Sequence, residues 1–86
     1  MVDHESRGER AKHLLENELF KEAFEALEKE YTQQWRDSPI RDTEGREKIH
    51  LAIHQLDRVR THLENLVLTG EMEKESRLKK AFNFNF

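Results

Sequence analysis

The chain has no cysteine, a single proline and three glycines in 86 residues. Without cysteine there is no disulfide and no thiolate, so neither a cross-linked core nor cysteine nucleophile chemistry is available. One proline and three glycines leave few places for turns. No apolar run approaches the roughly 18 residues of a membrane-spanning helix. The first residues, Met1-Val2-Asp3-His4-Glu5, lack the apolar core of a secretion signal. The expectation from these absences is a soluble cytoplasmic protein. A net charge of −3 disfavours unspecific nucleic-acid binding, which needs a basic face that releases counterions.

What is present is charge and helical periodicity. Charged residues make up 38% of the chain and hydrophobic ones 35%, a narrow apolar supply under a wide solvated surface. A chain this short is one domain at most. The clearest pattern is Ile49 to Leu66: Ile49, Leu56 and Leu63 fill one heptad position, Ala52, Val59 and Leu66 the other. Ile53 and Val67 widen this seam to the stripe of a packed helix. A long helix over about 43–68 is expected, capped by Asp42 or Thr43 and stopped at Thr69-Gly70, where glycine can take a left-handed C′ conformation.

Upstream, Phe20, Phe24, Leu27, Tyr31 and Trp35 recur at helical spacing and predict a helix over about 18–36. Ala11, Leu14 and Leu15 begin a pattern over about 8–16. Asn17 is a good N-cap, so a short helix before it and one continuous helix are both open. Pro39 holds Ser38 away from helical geometry, and the short loop around it makes the flanking helices antiparallel neighbours. The expected fold is all-α: an antiparallel helical hairpin, with a short extra N-terminal helix as the open alternative. The stretch over about 71–80, carrying only Met72 and Leu78 as large apolar residues, is a weak helix or a continuation of the preceding helix past a kink, and it leads into an extended C-terminal tail. In that tail Phe82, Phe84 and Phe86 alternate with Asn83 and Asn85, a period-two pattern.

The sequence offers little catalytic chemistry. His50 and His54, with Asp57 a turn further, are spaced to share a metal but lie opposite the apolar seam, so they read as solvated polar face. His62 borders the seam. Ser6, Ser38 and Ser76 have no base placed beside them, and there is no glycine-rich phosphate loop. The reading is no enzyme, no cofactor and no metal. Two helices of this size bury too little surface to stand comfortably alone, so a partner is expected, either a second copy or a different protein. The candidate partner-binding residues are Phe20, Phe24, Tyr31 and Trp35 of the stripe, a pattern more often core than binding site, and Phe82, Phe84 and Phe86 of the tail. The tail either folds back onto the hairpin or docks on a neighbouring surface.

Several runs together carry a resemblance. They are Arg7-Gly8-Glu9-Arg10-Ala11, then Leu14-Leu15, Asn17, Leu19-Phe20 and Ala23-Phe24. Further on come Trp35, Ser38-Pro39, Arg41 through Glu47, His62-Leu63-Glu64 and Thr69-Gly70. The chain resembles a group of small helical proteins encoded by tailed phages and prophages, often among head-assembly and DNA-packaging genes. Similar sequences often have proline where this one has Glu18, which implies a helix break at Asn17. The resemblance implies a virion or head-assembly component that binds another phage structural protein. It names no catalytic residue and does not reach the phenylalanine tail. Two other functions fit the composition: a small acidic inhibitor of a host enzyme, and a packaging factor touching DNA through Arg41, Arg46, Arg58 and Arg60.

Overall fold

The computed structural model describes residues 3–83 and places nearly all of them in three helices: α1 (His4–Glu16), α2 (Glu18–Asp37) and α3 (Thr43–Asn83). The hairpin is antiparallel. Together α1 and α2 make one arm, laid end to end along the single long α3, which forms the other. The molecule measures 68 × 25 × 20 Å, the proportions of a two-helix rod. Helix α1 adds no third layer; it extends the first arm over the later half of α3.

Each helix start is fixed by a side chain that accepts an otherwise unpaired backbone N–H. Asp3 Oδ1 accepts from the Ser6 amide at 3.0 Å. This cap starts α1 at His4, four residues before the expected start at 8, so residues 4–7 are helical as well. Asn17 Oδ1 accepts from the Phe20 amide at 3.0 Å, while the Asn17 backbone, with ψ 128°, leaves the helical region. The arm is therefore broken at Asn17. Asp42 Oδ1 accepts from the Gly45 amide at 3.0 Å and starts α3.

The largest departure from the sequence reading is at the far end of α3. Thr69-Gly70 does not stop this helix, which runs unbroken to Asn83 and takes in the stretch over 71–80. No glycine has a positive φ, so the left-handed stop is not used. Gly70 serves a different purpose: it faces Gly8 of α1, and the two backbones touch there. A Cβ on Gly8 would lie 3.0 Å from Gly70 Cα and 3.0 Å from the Leu66 carbonyl oxygen. A Cβ on Gly70 would lie 2.7 Å from the His4 carbonyl oxygen. Glycine is needed at this crossing for proximity, not for backbone freedom.

The same continuation corrects the start of the tail. Phe82 and Asn83 belong to α3, not to an extended segment, because the i→i−4 ladder simply carries on through them. Phe84, Asn85 and Phe86 lie outside the described residues.

Between the arms the core is thin. Ala11 and Phe24 are the buried hydrophobic residues, at 4% and 9% exposure, and the seam residues Ile49, Ala52, Ile53, Leu56, Leu63, Leu66 and Val67 are half-buried. Val59, in the same heptad series, is 51% exposed. A two-layer rod can cover only one side of each apolar stripe, and this one leaves the remainder open.

Candidate interaction surfaces

The aromatic stripe of α2 turns inward. Phe24 is buried against α3, with the Arg60 guanidinium 5.2 Å from its ring centroid. Phe20 stacks on Phe24 with centroids 4.6 Å apart, and both Phe20 and Tyr31 are half-buried. Arg60 also pairs with Glu28 at 2.8 Å, so the arginine ties the middle of the hairpin by charge and by its flat face. Of the stripe, Trp35 keeps an open edge. Phe82 is 71% exposed near the far end of α3, and Phe84 and Phe86 lie outside the described residues.

The hairpin tip is closed by arginine. The Arg46 guanidinium sits 3.9 Å from the Trp35 ring centroid. Its Nη1 donates to Ser38 Oγ at 2.8 Å and to the Ser38 carbonyl oxygen at 3.2 Å. The Ser38 hydroxyl in turn donates to the Trp35 carbonyl oxygen at 2.6 Å, an acceptor at the end of α2 that also takes the Ser38 amide at 3.3 Å and Arg46 Nη1 at 3.4 Å. Beside this lock lies a shallow depression lined by Trp35, Ile40, Thr43, Arg46, Glu47 and His50, with Ile40 86% exposed on its rim. At the opposite end Glu5 clasps Arg77, with Nε–Oε2 at 3.0 Å and Nη2–Oε1 at 3.1 Å. The Glu5 hydrogen bond and then its charge raise the Arg77 pKa above its already high ordinary value.

His50 and His54 stack, with ring centroids 6.1 Å apart and planes 13° apart, on an exposed face that also carries Asp57. Among the described residues no group of three or more His, Cys, Asp or Glu is placed to hold a metal ion. Among the same residues no helix is long and apolar enough to cross a membrane.

The two flanks of the hairpin differ in chemistry. The row of α3 that meets the other arm includes Ile49, Ile53, Leu56, Arg60, Leu63, Val67 and Gly70, all buried or half-buried. At 100° per residue, Ala52, Gln55, Val59, His62, Leu66 and Thr69 lie to one side of that row, with no Asp, Glu, Lys or Arg among them. To the other side lie His50, Asp57, Glu64 and Glu71. In α2 the corresponding sides carry Ala23, Leu27, Glu30 and Gln34 against Lys21, Glu25, Thr32 and Arg36. In α1 they carry Arg7 and Leu14 against Glu5, Glu9 and Lys12. Rows displaced to the same hand from the contact row fall on the same face of an antiparallel pair. A groove lined by Glu5, Glu9 and Lys12 from α1 and by Glu71 and Lys74 from α3 shows the charged rows opening on one side. The opposite flank is largely uncharged over the middle of the rod. A reading by heptad letters alone missed this division, because it appears only when both arms are placed in register.

Comparison of the chain with known family models, curated proteins and solved structures finds no match.

Proposed function

We propose that this chain is a non-enzymatic protein–protein interaction component whose open apolar surface is covered by protein in its working state. The observation that carries this reading is surface. The chain exposes 7406 Å². A compact monomer of 10.4 kDa exposes roughly 5,400 Å² by the usual scaling of surface with mass. Along the rod Leu14, Leu19, Leu51, Val59, Leu68 and Met72 are each more than two-fifths exposed. Water is a poor solvent for so much apolar area on so small a chain, and an interface is the usual resolution.

The finer assignment, a virion or head-assembly accessory of a tailed phage, draws on the sequence resemblance. In that role the hairpin is a stiff spacer. Phe82 and the residues after it anchor it to another structural protein, with the Trp35 edge and Ile40 available at the opposite tip. The test is to purify particles from a producing culture and quantify this chain in them by mass spectrometry. A fixed copy number per particle is expected, with loss of incorporation and unchanged helicity on deleting residues 82–86. A chain found only in the soluble fraction overturns the assembly role, and unchanged incorporation of the deletion overturns the anchor.

A further inference from the structure

We propose that the uncharged flank of the hairpin is a contact face for a second copy of this chain, the two copies packing as a four-helix bundle about a two-fold axis. The inference rests on the reading of the chain as an interaction component, and it names the partner.

Charge distribution is the first argument. In a chain with 38% charged residues, an exposed face intended for water carries charges along its length, as the opposite flank does with Lys21, Glu25, Arg36, Asp57, Glu64 and Glu71 around the uncharged Thr61 and Leu68. From Ala52 to Thr69, however, the α3 side of this flank carries none and its α2 side carries Glu30 as its one charge, with Leu27, Val59 and Leu66 forming the apolar centre. Depletion of charge at the centre with charged residues beyond it is the pattern of an interface core and rim.

Area is the second argument. The stretch from residue 52 to 69 is about 25 Å long at 1.5 Å per residue, and it spans the width of two helices. A patch of that size suits the roughly 800 Å² per partner of a stable interface, well within the excess surface of the chain. Self-pairing is the third. A two-fold contact sets the same patch against itself, residue i of one copy meeting residue j of the other. A charge therefore opposes its own copy only near the axis, where this patch has none on its α3 side. A face with little charge lets a chain of net charge −3 meet its own copy without like-charge repulsion at the contact. Adding a second two-helix layer also gives the half-buried seam the four-helix surroundings in which such stripes are covered.

The experiment is light scattering on the full chain beside Val59→Glu, Leu27→Lys and, on the charged flank, Glu64→Lys. Wild type and Glu64→Lys are expected at twice the 10.4 kDa chain mass, and Val59→Glu and Leu27→Lys at the chain mass with helicity retained by circular dichroism. A wild-type chain that stays at its own mass at high concentration overturns the proposal. So does a dimer broken by Glu64→Lys and untouched by Val59→Glu. Should either flank variant lose helicity, single-cysteine variants decide, since the chain has no cysteine of its own. A short bis-maleimide is expected to cross-link Val59→Cys between copies and to leave Glu64→Cys unlinked, and the reverse pattern overturns the face. A monomer that still enters particles removes self-pairing but keeps the interaction reading; a dimer absent from particles does the opposite.

Discussion

Gly8 and Gly70 meet backbone to backbone across α1 and α3, 62 positions apart in sequence, with no room for a methyl group on either. A Cβ at Gly70 would come within 2.7 Å of the His4 carbonyl oxygen and 3.0 Å of Gly8 Cα, both backbone atoms that cannot rotate away. Gly70→Ala therefore sets two effects against each other. Helix propensity favours alanine by about 1 kcal/mol in the interior of α3. Overpacking of a close contact costs typically about 1–3 kcal/mol, and here it also pries α1 from α3. The expected outcome is a lower melting temperature and faster amide exchange across α1 than across α2. A variant that melts higher than wild type, with α1 still protected, would show that the crossing is looser than described.

The break at Asn17 makes a separate prediction. Its side chain is the cap of α2 and its extended backbone sets the angle between α1 and α2. Asn17→Ala removes the acceptor for the Phe20 amide and is expected to destabilise the chain by about 1 kcal/mol. Asn17→Ser, which keeps a capping oxygen, should recover most of that. Chemical denaturation of the three chains measures both; equal midpoints would mean that the cap contributes nothing.

The cap at Asn17 was legible in the sequence as one of two open readings, because capping is local: an asparagine, an acidic residue after it and an apolar run are all visible within a few positions. The seam from Ile49 to Leu66 was legible for the same reason, since heptad spacing is a local property. Gly70 was not. A glycine after an apolar run reads as a C-terminal stop, and only Gly8, far upstream, shows that it is a contact. One signal was available, however. Gly70 occupies the slot that follows Ile49, Leu56 and Leu63 in the heptad series, and Arg77 occupies the next. Continuing the seam past residue 66 would have placed small residues and then a charge against the start of the chain, where Gly8, Ala11 and Glu5 are found. The tail was misread at Phe82 because period-two alternation over so few residues cannot outweigh a helix already in progress. The aromatic stripe kept both of its readings in the sequence. The structure places Phe24 inside and leaves an open edge on Trp35, since which side of an amphipathic helix is covered depends on its partner.

The clasp between Glu5 and Arg77 is exposed, so its contribution should be sensitive to salt. Arg77→Ala is expected to speed amide exchange over the first turn of α1 at low ionic strength. The difference from wild type should shrink toward zero near 1 M salt, where screening acts within about 3 Å. The sign of the pH dependence on the arginine side follows from its raised pKa. A cation whose folded value is raised contributes below its unfolded value and loses that contribution as pH rises through the folded one. For Arg77 both values lie in strong alkali, so the arginine stays charged across neutral and mildly alkaline pH. A loss of α1 protection between pH 7 and 9 in wild type would have to come from another group, and would argue against this pair as the clasp.

Arg46 and Trp35 give the last test an intrinsic probe, because Trp35 is the one tryptophan in the chain. The Arg46 guanidinium lies over the indole and at the same time donates to two Ser38 oxygens, so one side chain joins α3 to the end of α2 and to the loop. Arg46→Ala removes a cation–π contact worth about 0.5–1 kcal/mol at an exposed site and leaves Ser38 bonded only to the Trp35 carbonyl. The expected result is a red-shifted, more readily quenched tryptophan emission, with helicity nearly unchanged because the caps at Asn17 and Asp42 are intact. Arg46→Lys keeps the charge but not the flat face or the forked donors, and should resemble alanine more than wild type. If lysine restores the wild-type emission and stability, the tip is held by charge alone, and the stacking geometry of Arg46 on Trp35 contributes nothing to the lock.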